Sequence, residues 1–551
     1  MRDDRSPPPP PPPAGPSGTR HLDSWGEIAA HLRRSVSTVQ RWEKHEGLPV
    51  HRIAHSKQGS VYATTAELDL WYQARSQAPR SAPAAAAEGR IALAVLPFQN
   101  LSGSPDQDYF SDGLTEELIT HLARLRPDRL AVLARTSAMQ YRNTGRDVRA
   151  IGAELGVGYV LEGGVRRAGD RVRVSAQLVG TTDGINLWAD TYEQPLTDVI
   201  EIQTAIAERV GDSLTLHLLS DQHAAHAQAR QTGPETRDEF LKGRYFWNTR
   251  TPEGLRRALG YFQRAIELDP SFAPAHAGLA DTYLTLGSFF YGVLPPRDAF
   301  PAARTSAERA LALDPGLAEA YASRGFVQYA FDWDWARADR SFRRALELNP
   351  SYATGRQWYA FCLGAQARWA EARAEMARAR ALDPLSLVVN TSAGFLEYLA
   401  RDWEKASEHC ARALEVNPDF PIARLLLTVV HGFAGRKREA REGHDAFDRL
   451  AGVGAFGLTL RACHQALAGQ RRQAEQALAE LTRGAVTGAV YRWQLAMVYA
   501  SLGAADEAFA QLDRAFEERS DVLVFLKVGP HWDPLRADPR FDAALRRLGL
   551  A

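Results

Sequence analysis

Five prolines in the C-terminal half each follow an acidic or amide residue: ELDPSF, ALDPGL, ELNPSY, ALDPLS and EVNPDF, at Pro270, Pro315, Pro350, Pro384 and Pro418. Their spacings are 45, 35, 34 and 34 residues. No other feature restricts the fold so tightly. A unit of this length holds two short helices, which cannot bury their apolar faces alone and must stack on the next pair. Alanines recur where paired helices approach closely: Ala338 and Ala345, Ala372 and Ala379, Ala406 and Ala413. Phe342, Met376 and Cys410 lie between them and fill the space between repeats. Ala440 and Ala474 keep the spacing after the proline is lost. The pattern predicts about eight helix pairs over 235–525, with an eleven-residue insertion near FFYGVLPPRDA. HWDPLRADPRFDAALRRLGL is expected to cap the array over 526–551, with Asp538 before Pro539 starting its helix.

The 34-residue period of paired helices resembles that of tetratricopeptide repeats. The resemblance implies a concave groove for a partner protein or peptide. By register, Gln357, Phe361, Thr391, Phe395, Leu425 and Val429 of the first helices are expected to line it.

The N-terminal end reads differently. Residues 1–20 form a Pro-rich tail that cannot bury enough apolar surface to order itself, and 76–90 read as a linker. Between them, 21–75 can form a small unit. Ser24 can cap a helix whose Ile28, Ala29 and Leu32 face inward. A second helix begins near Ser35 with Val39 and Trp42 inward, leaving Ser37, Thr38, Gln40, Arg41 and Lys44 outward. Such groups bond to phosphates and base edges. The stretch from Ala29 to Trp42 resembles the bacterial helix-turn-helix, and its extension through VHRIAHSKQGSVYA resembles the winged head of the MerR and excisionase-like families. Thr64 and Glu67 have capping-box spacing for a following helix. The family pattern carries a glycine and an apolar residue in the turn, where this chain has Arg33 and Arg34. Either the turn differs or these arginines reach phosphate. The resemblance implies double-stranded DNA as partner, with Arg33, Arg34, Ser37, Thr38, Gln40, Arg41, Lys44, Arg52 and Lys57 as its contacts. A linker stands where MerR-type activators carry a dimerising helix, so any homo-oligomer is expected to form through the body.

The middle of the chain alternates buried-strand and helical patterns. IALAVLPF is a short apolar run, SDGLTEELITHLARL has helical spacing, and GYVLEGGVRR, RVRVSAQLV and INLWADTYE read as an antiparallel meander. A helix from about Leu196 to Leu219 closes the unit. Residues 91–220 thus read as an α/β domain, and IALAVLPFQNLSGSPDQDYFSDGLTEELITHLARL with the segments after it resembles the TolB-like amino-terminal domain. In that family the domain commonly stands between an N-terminal effector and tetratricopeptide repeats. Asp106, Asp108, Asp112, Glu116 and Glu117 form an acidic cluster. It is read as helix-start charges (Asp112) and a solvent face (Glu116, Glu117) rather than as a metal site. The two glycines of LEGG are read as a bulge. No nucleophile–base pair presents itself, so the expectation is a sensor or adaptor that is not an enzyme, with no catalytic residue, metal or cofactor.

Lysine plus arginine and aspartate plus glutamate both total 66, so any attraction to nucleic acid must be local. The N-terminus lacks the pattern of a signal peptide, and no apolar run reaches membrane-spanning length. The three cysteines show no metal-ligand spacing and suit a reducing compartment. The expected address is the cytoplasm. The whole is expected to be a multidomain chain of winged helix-turn-helix head, α/β domain and all-α solenoid. Its expected function is that of a DNA-binding transcriptional regulator with a sensor and protein-interaction body. The alternative is an adaptor whose head binds protein.

Overall fold

A computed structural model describes residues 20–32, 36, 39, 43, 47–53, 60–77, 90–125, 127–196, 199–214, 232–451, 454–484 and 490–551. The chain divides into two compact units, Met1–Ser81 and Ala82–Ala551.

In the first unit a helix spans Trp25–His31, and its N-terminal amides are met by Ser24, whose Oγ accepts from Glu27 N at 3.2 Å. Ile28, Ala29, Leu32 and Val39 are buried together with Ala63 and Leu68. The strands β1 (His21–Leu22), β2 (His51–Ile53) and β3 (Ser60–Thr64) form an antiparallel sheet in the order β1-β3-β2. β2 and β3 are the expected hairpin, in the register His51↔Tyr62 and Arg52↔Val61. β1 was not expected: two residues are too short to show alternation. The helix Thr65–Gln77 follows, and its capping box is formed. Thr64 Oγ1 accepts from Glu67 N at 3.3 Å, and Glu67 Oε2 accepts from Thr64 N at 3.2 Å.

The second unit opens with a mixed sheet. Its strands are β4 (Ile91–Val95), β5 (Gln99–Asn100), β6 (Leu130–Val132), β7 (Tyr159–Ala168), β8 (Arg171–Gly180) and β9 (Asn186–Pro195). The order is β6-β4-β7-β8-β9, with β5 beside β7. β4 runs parallel to β6 and β7, a pairing that needs long crossovers such as those through the intervening helices, whereas β7, β8 and β9 form the antiparallel meander. The helices Asp108–Leu125 and Val199–Ser213 cover one face of the sheet and Val148–Leu155 the other. The closing helix is therefore shorter than the Leu196–Leu219 span expected, and residues 215–219 lie outside the described residues.

LEGG corrects one reading. β7 pairs with β8 without interruption from Tyr159↔Gly180 to Ala168↔Arg171, and the irregularity lies at Leu178/Val179 against β9. Gly163 is required by close approach instead. A Cβ there would stand 2.1 Å from Ser175 O and 2.6 Å from the Phe98 ring.

After the sheet come eight helix pairs among the described residues, from Pro234–Asn248 with Pro252–Leu268 to Arg492–Ser501 with Ala505–Glu517. The insertion falls inside the second pair, between Ala273–Gly287 and Pro296–Leu313, and carries Phe289 and Phe290. The repeat prolines follow helix ends, and the residue before each shapes the turn. Asp269, Asp314, Asn349 and Asn417 each accept from the backbone N–H two residues on, at 2.8–3.0 Å. The turns within pairs repeat just as strictly. Trp333, Ala367, Arg401, Gly435, Gly469 and Gly503 all have left-handed backbone, with φ between 61° and 78°.

The expected terminal cap is only part of what the C-terminus forms. Beyond the last pair the chain turns through short 3-10 segments, Asp521–Phe525 and Pro530–Leu535, before the helix Pro539–Arg547. These segments pack against earlier repeats rather than the last pair alone. Trp335 Nε1 donates to Leu548 O at 2.7 Å, and Arg401 pairs with Asp533 at 2.5 Å. The reason is composition: Val522, Leu523, Val524, Phe525 and Leu526 are a continuous apolar run that must find a core, and all five are buried.

Candidate functional site

The first residue cluster of note joins the sheet domain to the array. The helix Pro234–Asn248 lies across Asp108–Leu125, with Leu241 in the space that Gly113 leaves open; a Cβ at Gly113 would stand 2.6 Å from Leu241. Beside this contact Glu116 and Glu117 are half-buried and bonded, which corrects their solvent-face reading, and Asp112 is buried a full turn inside the helix Asp108–Leu125 rather than at its start, while Asp106 is exposed. Glu116 accepts from Arg244 Nε at 2.6 Å and from Asn248 Nδ2 at 2.9 Å. Burial opposes its charge, but Arg244 and Arg135 outweigh it and hold the carboxyl below the usual carboxylate range. Glu117 faces Gln203, and there burial prevails and pushes the carboxyl up. Asp112 is 3% exposed and pairs with Arg135 and Arg142. Among the described residues no group of three His, Cys, Asp or Glu side chains could hold a metal.

A second bridge uses one of the repeat residues. Asp383, before Pro384, accepts from Ser137 N at 2.9 Å and Ser137 Oγ at 2.6 Å. Leu382 O accepts from Ala134 N at 2.7 Å, and Leu385 packs on the second face of the sheet. Burial pushes the Asp383 carboxyl up to about 6.

The concave face of the array holds the other candidate site. Gln357, Phe361, Thr391 and Phe395 line one cavity, and Phe395, Leu425 and Val429 line an adjoining one. The six residues chosen by register thus meet at one surface. It is not an open groove. Phe525 of the C-terminal segment lies against it, with its ring 5.3 Å from that of Phe395 and 6.2 Å from that of Phe361. Phe289 and Phe290 of the insertion close the same cluster, and Phe289 N donates to Asp521 Oδ2 at 3.1 Å. Burial pushes the Asp521 carboxyl up to about 7. Arg250, from the turn of the first pair, lines the first cavity as well. Farther along, His531 Nδ1 meets the Tyr398 hydroxyl at 2.7 Å, and His444 meets His464 at 2.8 Å. Burial drives all three imidazoles down, His444 and His531 to about 3 and His464 to about 4, so they are neutral packing groups.

In the N-terminal unit, Arg52 is exposed on β2 and pairs with Glu43 at 2.9 Å. The other expected DNA contacts, Arg33, Arg34, Ser37, Thr38, Gln40, Arg41, Lys44 and Lys57, lie outside the described residues, as does Trp42. The histidines pair locally: His31 with Asp69 at 2.8 Å and His51 with Glu67 at 3.1 Å.

Residues 89–209 match the second domain of the HilA/YgeH-like transcriptional regulators. A curated relative from Rhizobium meliloti (strain 1021), named "Putative adenylate cyclase 3", is 36% identical over 225 residues, which are 39% of this chain. The chain spans 38% of that relative's length. The enzyme name carried by this relative overturns the expectation that the chain is not an enzyme. Among solved structures, Pseudomonas aeruginosa PilF is 24% identical over 37% of this chain and 90% of its own, with a TM-score of 0.29. A human IFIT1 dimer is 16% identical over 52% and 72%, with a TM-score of 0.37. At such scores these likenesses add nothing to the helical array described above. No helix among the described residues is long and apolar enough to cross a membrane.

Proposed function

We propose that the chain is a DNA-binding transcriptional regulator, in which residues 21–75 are a winged helix-turn-helix head and the remainder receives a signal or partner in the cytoplasm. The observation that carries this reading is the match of residues 89–209 to a domain of transcriptional regulators. That domain follows a unit in which a capped helix precedes a hairpin and a further helix. Ser37, Thr38, Gln40, Arg41 and Lys44 supply base-edge and phosphate contacts in this reading, with Arg33, Arg34, Arg52 and Lys57 beside them. A neutral body keeps the attachment local, because each neutralised phosphate adds affinity regardless of sequence. The array is the scaffold for a protein or peptide partner, and the six residues chosen by register, now covered by the C-terminal segment, become its contacts only where that segment gives way. Self-association through the body would raise the avidity of so small a head.

The test is a gel shift of genomic fragments by the full chain at 50 and 200 mM salt. Binding should weaken by one to several decades between the two, on the order of 0.9 in log affinity per log salt for each phosphate contact. Arg41→Ala with Lys44→Ala should weaken it further and flatten the slope. No shift at low salt overturns the reading and favours a head that binds protein. The relative's name favours a second reading, in which the chain takes part in cyclic-nucleotide chemistry. Cyclic AMP formed from Mg-ATP by the purified chain would support it, and none above a protein-free blank would remove it.

A further inference from the structure

Two adjoining cavities lie between the concave face of the array and the C-terminal segment. Their atom-free space is about 900 and 720 Å³, counting what opens to solvent. Phe289, Phe290, Phe395, Ile422 and Phe525 belong to the walls of both. The second is lined almost wholly by apolar side chains, Met497 and Trp532 among them. The first has a cationic end at Arg250.

Arg250 differs from the other polar groups of this wall. Gln357 Nε2 donates to Ser392 Oγ at 2.7 Å, and Thr391 Oγ1 donates to Leu387 O at 2.7 Å. Asp521 turns an oxygen to the Phe289 amide. These needs are met within the chain. The guanidinium of Arg250 lies over the Trp247 ring at 3.6 Å and reaches Thr285 Oγ1 at 3.5 Å; the buried Asp281 carboxylate acts on it from beyond ion-pair distance and is paired with Arg244 instead. Its neighbour Arg244 is already paired with Glu116. Arg250 is half-buried, and a charge partly withdrawn from water whose only nearby carboxylate is shared with another arginine is costly. The backbone holds it there in left-handed conformation, φ 53°.

We propose that this cavity binds a small amphipathic carboxylate, its head at Arg250 and its apolar chain running past Phe395 and Ile422 toward Met497. A guanidinium matches a carboxylate in shape as well as charge. An apolar tunnel with one such anchor is the usual design of a small-molecule site. The C-terminal segment favours this occupant over a partner helix. A helix is about 10 Å across, and Phe525 already stands against the rings it would meet. The proposal deepens the reading of the body as a signal receiver, and its test reads ligand binding directly, apart from DNA.

The test is calorimetric titration of the full chain with dodecanoate below its micelle concentration, against dodecyltrimethylammonium, dodecanol and acetate. Dodecanoate should bind one to a chain, with the ammonium at least about tenfold weaker and acetate silent. Arg250→Asn, which tolerates the left-handed backbone, should weaken dodecanoate at least about tenfold and leave dodecanol unchanged. Ile422→Trp, which fills the shared wall, should abolish binding of both. Failure of dodecanoate to bind, equal binding of the ammonium, many sites per chain, or an Arg250→Asn variant that is folded by circular dichroism and binds unchanged would each overturn the proposal.

Discussion

Asp383 shows how one repeated residue is given a second use. Its counterparts Asp269, Asp314, Asn349 and Asn417 close their own turns, whereas Asp383 reaches 246 residues back in the chain to Ser137. The residue type was legible in the sequence; the partner was not, because nothing local distinguishes ALDPLS from its siblings. Ala367 offers a cleaner test of the same repeat. It holds φ 63° where later pairs use glycine, and a Cβ in that region costs about 1–2 kcal/mol. Part of the gain is lost to glycine's freer unfolded chain. Ala367→Gly should therefore stabilise the protein by about 0.5–1 kcal/mol, read as a higher urea midpoint. Asp521 makes a prediction of opposite character. Burial raises its carboxyl from the ordinary value of 3.8 to about 7. The folded state thus holds a proton that the unfolded state releases. This stability is present below about pH 4 and is lost as pH rises to about 7. Asp521→Asn, neutral throughout, should gain on the parent protein across that window, at up to about 1.4 kcal/mol per pH unit, and run level above it. Urea titrations at pH 5, 6, 7 and 8 measure this directly.

Elements were legible where local pattern alone decides them. The Ser24 cap, the Thr64–Glu67 box, the hairpin and the helix pairs follow from spacing over a few residues. The left-handed turn positions were equally available: Gly435, Gly469 and Gly503 keep the 34-residue interval where the prolines have gone. Glu116 and Glu117 were misplaced for a different reason. A helix stripe shows which face is apolar, but a second face covered by another polar helix carries no hydrophobic signature. That covering depends on Gly113, the point of closest approach to Leu241. Gly113→Val should force the helix Pro234–Asn248 away and cost about 2 kcal/mol by overpacking, while the array's own helices stay formed. Urea unfolding with helix content followed by circular dichroism would show it. An unchanged midpoint would mean that the contact is looser than its geometry.

At the scale of the whole molecule, the sheet domain and the array share one compact unit, Ala82–Ala551, apart from Met1–Ser81. Polar bridges at Glu116, Asp383 and Arg124 tie the two parts of that unit together. Calorimetry of the full chain should accordingly show two transitions rather than three, with the larger one covering sheet and array. A chain cut between the expected bounds of the α/β domain and the array, at 221–234, should destabilise both halves. The sequence by itself determined the repeat, its period, its turns and the alternation of strand and helix in the middle, because each rests on interactions between residues a few positions apart. Only the tertiary structure decided that an apolar C-terminal run would fill the concave face, that Arg250 would line a cavity with no described carboxylate in ion-pair reach, and that Glu116 would be covered by a helix of the array. Those outcomes depend on which surfaces meet across a hundred residues or more, and no local spacing encodes that choice.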